Sequence, residues 1–453
     1  MSERTKTVGR VLTRQATPAH GDIGLREEAA LVPGRGNSTY GGMTGEWKDI
    51  TLGDFVALQR GHDLTEPERR PGHVPVIGSA GQNGFHDTAL AKGPGIVIGR
   101  SGASFGQVHF CATDYWPHNT GLYVTDFKGN DPRFAYYFLK ALDFDRYNSG
   151  SAQPSLNRNF IYPIPICVPE PDEQKAIAHI LGTLDDKIEL NRRMNATLEA
   201  MARALFQSWF VDFDPVRAKL DGRKPADLDA ATAALFPAHF QDTLLGHIPQ
   251  GWEVCPLADK IELLSGGTPK TGEPDYWDGD IPWFSVKDAP TETDVWVIHT
   301  EKSVTELGIS NSAAQIFPEK TTIITARGTV GKLALTGTPI AMNQSCYGVR
   351  GITGYGDYFT YYSLRAATTQ LQQRTHGTVF DTITRQTFET LDCIFPPPKL
   401  TAAFDLAVEP LLEQIRANLH QSCTLAIIRD ALLPQLLSGE IRVTNVRNEV
   451  ASV

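Results

Sequence analysis

Residues 172–210 read DEQKAIAHILGTLDDKIELNRRMNATLEAMARALFQSWF, and this stretch decides the organisation of the chain. Its apolar residues recur at alternating steps of four and three, which predicts a long amphipathic helix with a coiled-coil-like stripe. We call this stripe the helix seam. Its members here are Ile177, Leu181, Leu184, Ile188, Leu198, Leu205 and Trp209, with the polar Asn191 and Asn195 at the centre and Ala202 later.

The same seam returns 227 residues later in the same register, polar centre included. Arg429 is the one poor match, and we expect the neighbouring Ile428 to cover that position. Two like helices in one chain would most simply pack against each other. If they run antiparallel, Asn191 should lie near Ser422 and Asn195 near Asn418. The second seam comprises Phe404, Val408, Leu411, Ile415, Asn418, Ser422, Leu425, Leu432 and Leu436.

The rest of the chain also repeats. Trp252 onward resembles Trp47 onward, and the Gly-rich run ending at Gly331 resembles the run ending at Gly106, with about twenty extra residues early in the second copy. We therefore predict a mixed α/β (α+β) fold with two similar globular domains, two long antiparallel helices and an internal pseudo-twofold repeat. Its expected parts are a disordered extension 1–44, domain 45–169, helix 170–211, connector 212–250, domain 251–398, helix 399–438 and tail 439–453.

The composition is that of an ordinary globular protein of 453 residues, with a net charge of −10. Six scattered cysteines form no CxxC pair, so we expect reduced thiols, no metal and a cytoplasmic location without a membrane span. Phosphate-loop, GxSxG, HExxH and dinucleotide-binding motifs are absent from the sequence. These features predict a chain without a catalytic centre.

Acidic residues are missing from several segments of both domains, although the whole chain is acidic. The segments 88–113, 146–169, 320–356 and 358–380 contain no Asp or Glu but are rich in Arg, Asn, Gln, Ser and Thr. Such side chains contact base edges and phosphates. Buried strands explain part of this pattern; for the loops we favour surface contact. The candidate DNA-binding residues are Arg100, Ser101, Asn119, Gln153, Asn157 and Arg158 in the first domain, and Lys287, Arg327, Thr329, Lys332, Asn343, Gln344, Arg374 and Thr378 in the second.

Motifs around both helices resemble the specificity subunit of type I restriction–modification systems. The matching pieces are PEPDEQKAIA at 169–178, LDDKIELNRR at 184–193, ALFQSWFVDFDPV at 204–216, GRKP at 222–225, LGHIPQGW at 245–252 and LLPQLLSGEI at 432–441. The resemblance implies two target-recognition domains that each read half of a bipartite site in double-stranded DNA, with the helices as spacer. Half-sites on one side of the duplex lie roughly 34 Å apart.

The resemblance also implies the partners of a non-catalytic subunit. Two methyltransferase subunits would dock on the central region, with restriction subunits as further partners in some complexes. S-adenosylmethionine, ATP and Mg²⁺ would be bound by those partners, so no cofactor is expected on this chain. One alternative is a stand-alone nuclease or methyltransferase with a built-in reader. Another is a coiled-coil adaptor that touches only protein, whose function charge reversal at Arg100 and Arg327 would leave unchanged.

Overall fold

A computed structural model of the chain describes residues 47–150, 153–352, 354–373 and 382–443. The expected N-terminal extension and the tail beyond residue 443 lie outside the described residues. The described residues divide into two compact units. The first unit comprises residues 47–188 with 423–443, and the second comprises residues 189–422.

The first domain contains three small sheets. A two-stranded pair β1-β9 stands at its base, beside a four-stranded sheet in the order β2-β8-β5-β6 and a three-stranded sheet in the order β4-β3-β7. Its elements are β1 (Lys48–Thr51), α1 (Leu52–Phe55), β2 (Ala57–Arg60), β3 (Val74–Gly78), β4 (Gly81–His86), β5 (Gly95–Gly99), β6 (Val108–Cys111), β7 (Trp116–Pro117), β8 (Gly121–Asp126), α2 (Pro132–Ala141), α3 (Arg158–Ile161) and β9 (Pro165–Val168).

The first long helix, α4 (Pro171–Phe210), leads into the connector. The sequence predicts short helices or loop here, and the structure shows two short helices followed by a β-hairpin. Phe236 and Trp252 pack near the end of α4, where Trp209 meets Phe236 edge to face at 5.3 Å. The connector elements are α5 (Asp214–Leu220), α6 (Ala230–Ala234), β10 (Phe240–Thr243) and β11 (Gly246–Pro249).

The second domain repeats the sheet orders of the first. It has a base pair β12-β21, a sheet β13-β20-β17-β18 extended by β15, and a three-stranded sheet β16-β14-β19. Its elements are β12 (Glu253–Pro256), β13 (Ile261–Ser265), β14 (Trp277–Phe284), β15 (Trp296–Val297), β16 (Lys302–Val304), α7 (Glu306–Ser310), β17 (Thr322–Thr325), β18 (Leu333–Thr336), β19 (Ala341–Met342), β20 (Cys346–Gly351), α8 (Asp357–Gln373), α9 (Arg385–Glu389) and β21 (Asp392–Phe395), followed by the second long helix, α10 (Pro398–Leu437).

The extra residues of the second domain form β15 and its surroundings. The indole of Trp296 on β15 is buried, and its Nε1 donates a hydrogen bond of 2.8 Å to the Leu412 carbonyl on α10. The Arg416 guanidinium lies 5.4 Å from the Trp296 ring centre, an attractive cation–π arrangement. The insertion therefore fastens the second domain to its long helix.

In the first unit, the start of α4 enters the core of the domain. Ile177 and Leu181 are fully buried, in one cluster with Phe55, Phe134 and the α10 residue Leu436. A buried Leu or Ile side chain contributes roughly 1.5–3 kcal/mol relative to an exposed one. The seam spacing thus produces the contact that joins helix to domain.

A carboxylate rather than an apolar side chain occupies the position opposite Arg429. The Arg429 guanidinium donates to Asp185 at 2.6 Å, and the Tyr137 hydroxyl donates to the other oxygen of Asp185 at 2.5 Å. Ile428 is 42% exposed, so the expectation that it covers the seam is wrong. Arg429 remains at the seam because Asp185 on the facing helical segment neutralises it.

In the second unit, the predicted polar pairs meet. The Asn418 amide donates to the Asn195 oxygen at 2.9 Å, and the Asn191 amide donates to the Ser422 hydroxyl at 3.1 Å. Asn191, Asn195 and Asn418 are at most 4% exposed. The helical segments of this unit therefore run antiparallel in the predicted register.

The seam differs from the prediction at one position of α10. Phe404, Val408 and Ile415 are fully buried as expected, but Leu412 is buried in place of Leu411, which is only half-buried. A straight helix has 3.6 residues per turn, so a fixed alternation of four and three drifts across the face. Leu184, Ile188 and Ser422 are also half-buried. The fold is mixed α/β with a repeated domain and two long helices.

We predict that the two buried asparagines at 195 and 418 are coupled. Asn195→Leu or Asn418→Leu alone should lower the free energy of unfolding by about 1–3 kcal/mol, because each strands a buried amide. The double substitution should cost less than the sum of the two. Urea unfolding of the three variants and the wild type measures this coupling, and additive losses would contradict it.

A second prediction concerns pH. Burial raises the pKa of Asp405 on α10 to about 7, although its carboxylate accepts hydrogen bonds from the Phe359 and Tyr358 amides at the start of α8. Between about pH 4 and pH 7 the folded chain keeps a proton that the unfolded chain has lost, so stability falls as pH rises. Asp405→Asn removes this titration. The melting temperature of the wild type relative to this variant should fall across that window; a constant difference would contradict the assignment.

Candidate nucleic-acid interface

In the first domain, backbone hydrogen bonds gather three loops at the end of β5. The Arg100 amide donates to the Thr120 carbonyl at 2.9 Å, and the Leu156 amide donates to the Arg100 carbonyl at 2.8 Å. The Gly106 amide closes the loop onto Gly99 at 2.8 Å. We call residues 100–106, 118–120 and 153–158 the first loop cluster. It contains all six candidate residues of this domain.

An open cleft of about 670 Å³ lies beside the first loop cluster and takes in three of the candidates. Arg100, Asn157 and Arg158 line it. The sequence did not point to the residues of and after strand β2 that form the opposite wall. Those are Gln59, Arg60, His62 and Asp63.

Asp63 places a carboxylate inside this otherwise acid-free cluster. The Asn119 amide donates a hydrogen bond to Asp63, and the Arg60 guanidinium lies 3.9 Å from the same carboxylate. Gln153 is exposed, and its amide lies beside Gly102. Asp63 is distant from the cluster in sequence, so a search for acid-free segments could not find it. It lowers the positive charge that a phosphate would meet.

The second domain builds its corresponding cluster with the same backbone bonds. The Ala326 amide donates to the Ser345 carbonyl at 2.8 Å, and the Ile383 amide donates to the Ala326 carbonyl at 3.0 Å. The Gly331 amide closes the loop onto Thr325 at 2.8 Å. We call the described residues 326–332, 343–345 and 382–385 the second loop cluster.

These bonds correct two pairings inferred from the sequence. Ala326, not Arg327, occupies the position of Arg100, and Gln344, not Asn343, occupies that of Asn119. The loop after β17 is one residue shorter than its counterpart, since six steps rather than seven separate its closing pair. Sequence similarity cannot locate such a deletion in a Gly-rich loop. Arg327 therefore answers Ser101.

Side chains of the second cluster face two directions. Arg327 and Thr329 are exposed, while Thr329 and Lys332 also line a cleft of about 470 Å³ with Arg203 and Arg365. Asn343 accepts a hydrogen bond from the Ser345 amide at 3.0 Å, which shapes the turn. Gln344 is exposed and accepts a hydrogen bond from the Thr268 hydroxyl.

A buried carboxylate lies next to the cleft at Lys332. Glu199 on α4 is 2% exposed, and the Arg365 guanidinium lies 2.9 Å from it. Burial raises the pKa of the Glu199 carboxyl, and the charges of Arg365 and Arg203 act in the opposite direction. The cations of this cleft are thus partly neutralised, and Lys332 is its best candidate for an external anion.

Three candidates stay apart from the clusters as the structure describes them. Lys287 follows β14 and its ammonium lies 3.8 Å from Glu301. Arg374 and Thr378 lie outside the described residues. Their contribution to binding remains a prediction.

Sequence reasoning missed Arg385. Its guanidinium donates to the Leu263 carbonyl at 3.1 Å, as Arg158 donates to the Leu58 carbonyl at 2.8 Å. Both arginines begin a short helix, α3 or α9, and both are exposed. The signal was available, because Arg385 stands 227 residues after Arg158, at the offset of the helix repeat.

Two like domains, each with a polar loop cluster and a long helix, define a duplicated binding subunit. Among the described residues no three His, Cys, Asp or Glu side chains group as a metal site. The helices described include none with the length and apolar character needed to cross a membrane. The family described as "Type I restriction modification DNA specificity domain" matches residues 44–200 and 249–400, more than half of the chain. The chain belongs to this family, whose members are non-catalytic DNA-recognition subunits.

Individual relatives carry the same description. The type I restriction enzyme HindI specificity subunit of Haemophilus influenzae is 29% identical over 357 residues, covering 68% of this chain and 77% of that protein. The MjaIX specificity subunit of Methanocaldococcus jannaschii is 29% identical over 318 residues, covering 68% and 69%. The crystal structure of a type I S subunit from M. genitalium matches in fold, with a TM-score of 0.54, 17% identity and coverage of 86% and 96%.

We predict that Asp63 weakens binding of DNA by the first loop cluster. Asp63→Asn removes a carboxylate near Arg60 and frees the Asn119 amide, so affinity for duplex DNA at low salt should rise about threefold, the size of an exposed charge interaction. Fluorescence anisotropy measures the change. Asp221→Asn in the connector is the charge-matched control, and an equal rise in both variants would refute the assignment.

Proposed function

We propose that this specificity subunit reads a bipartite target in double-stranded DNA, with one loop cluster on each half. The observation that carries the proposal is the repeated construction of the two clusters. The same backbone hydrogen bonds hold three loops at the end of β5 and of β17. A surface built twice suits a ligand that presents two comparable sites, as a DNA duplex does.

Side chains at corresponding positions differ, which favours two different half-sites. Arg100 and Ser101 in the first cluster answer Ala326 and Arg327 in the second. Arginine pairs well with guanine, whereas a small side chain offers apolar contact or a single hydroxyl. An asymmetric target follows, because the two clusters present different donors and acceptors.

Docking of methyltransferase subunits is the second part of the proposal. Its support is a set of exposed apolar side chains on the long helices, a feature typical of protein interaction surfaces. Met201 and Ile428 stand 227 residues apart, so the repeat displays the feature twice and suits two copies of one partner. The set comprises Leu190 and Met201 on α4 with Leu406, Ile427 and Ile428 on α10.

Within this proposal the helices set the number of unread base pairs, and the partners supply the chemistry. The buried asparagines favour one register between the helical segments of the second unit. S-adenosylmethionine, ATP and Mg²⁺ belong to the partner subunits, with restriction subunits as further partners. A protein-only adaptor would not require the repeated polar clusters.

A map of methylated adenines in the host genome, with and without this gene, tests the proposal. We expect one split sequence motif to be methylated only when the gene is present. Restoring the gene should restore that motif. Identical maps in both strains would contradict the proposal, and so would a motif without an unread centre.

A further inference from the structure

Arg158 and Arg385 differ from their neighbours in the two loop clusters because the repeat preserves them. Each follows a residue that begins a short helix, Asn157 or Thr384. Each donates to the backbone carbonyl of a corresponding strand residue, Leu58 on β2 or Leu263 on β13. The same side chain makes the same contact in both domains.

These contacts leave most of each guanidinium available. A guanidinium carries five N–H donors in a rigid fork. Arg158 uses one on Leu58, and Arg385 uses one Nη on Leu263 and Ser265. Both side chains are exposed, and Arg158 lines the first cleft together with Arg60 and Arg100. The backbone contact holds the fork in place, which reduces the entropy lost on binding a ligand.

The neighbouring positions have not been preserved. Arg100 faces Ala326 in the repeat, Ser101 faces Arg327, and Asn119 faces Gln344. Two domains that read different sequences need different contacts to base edges. Both nevertheless meet the same phosphodiester backbone, whose contacts carry no sequence information.

We propose that Arg158 and Arg385 bind backbone phosphates at corresponding places in the two half-sites, while the unlike neighbours read the bases. The inference rests on the proposed function and assigns separate roles within the same surfaces. Arginine matches a phosphate through paired donors on its fork, which suits this role.

The test uses the full chain assembled with its modification subunits. The probes are a duplex enriched by the wild-type complex from a randomised library and an unrelated duplex of the same length. Arg158→Gln and Arg385→Gln should each reduce the slope of log affinity against log salt concentration by about 1, and the double variant by about 2. Affinity should fall by a similar factor on both duplexes, and each variant should enrich the wild-type sequence.

Two controls separate a phosphate contact from a structural role. Tyr162→Phe removes the hydroxyl that accepts from the Leu58 amide at 2.7 Å and donates to its carbonyl at 3.1 Å, but leaves the charge unchanged. Its salt slope should equal that of the wild type. Arg158→Lys and Arg385→Lys keep the charge and should restore most of the slope.

Several results would overturn the inference. Unchanged salt slopes in the Gln variants would do so, as would an equal loss of slope in Tyr162→Phe. A changed base preference in one half of the enriched sequence would assign that arginine to base reading. Failure of the wild type to enrich any sequence would instead refute the proposed function, and the salt slopes on the unrelated duplex would still be measurable.

Discussion

Burial of polar side chains in the seam of two long helices is the constraint on which the structure depends. Asn195 and Asn418 bond to each other where an apolar pair would pack more strongly, and Asn191 reaches Ser422. Only one register of the antiparallel segments pairs these groups, and any shift leaves buried amides without partners. Asp185 and Arg429 impose a similar requirement within the first unit. Polar matching therefore selects the arrangement that apolar packing alone would leave less specified.

Duplication supplies the second constraint. Both domains keep the base strand pair, the central sheet order and the backbone bonds that gather the loops. The connections to the helices have diverged: Gln174 links the start of α2 to α4, whereas Asp405 receives the start of α8 on α10. Trp296 adds a further anchor in the second domain alone. The scaffold is retained while its contacts and its exposed loops change.

The sequence predicted the helix pair, its polar contacts and the loops that meet at the surface, because a repeat of 227 residues constrains all of them together. It failed where one residue decides the outcome. Leu412 replaces Leu411 in the seam because helical periodicity drifts, and a shortened loop moves Arg327 away from the position of Arg100. Asp63 enters the first cluster by tertiary folding alone. Arg385 was predictable from the offset, but only structure shows the contact that gives the offset meaning.

The central claim is that each domain reads its own half of one target. The most direct measurement is the target selected from a randomised duplex library by a chain in which residues 251–398 also replace residues 45–169. The account predicts a target whose two halves are the same sequence, equal to one half of the wild-type target. An unchanged asymmetric target would contradict it.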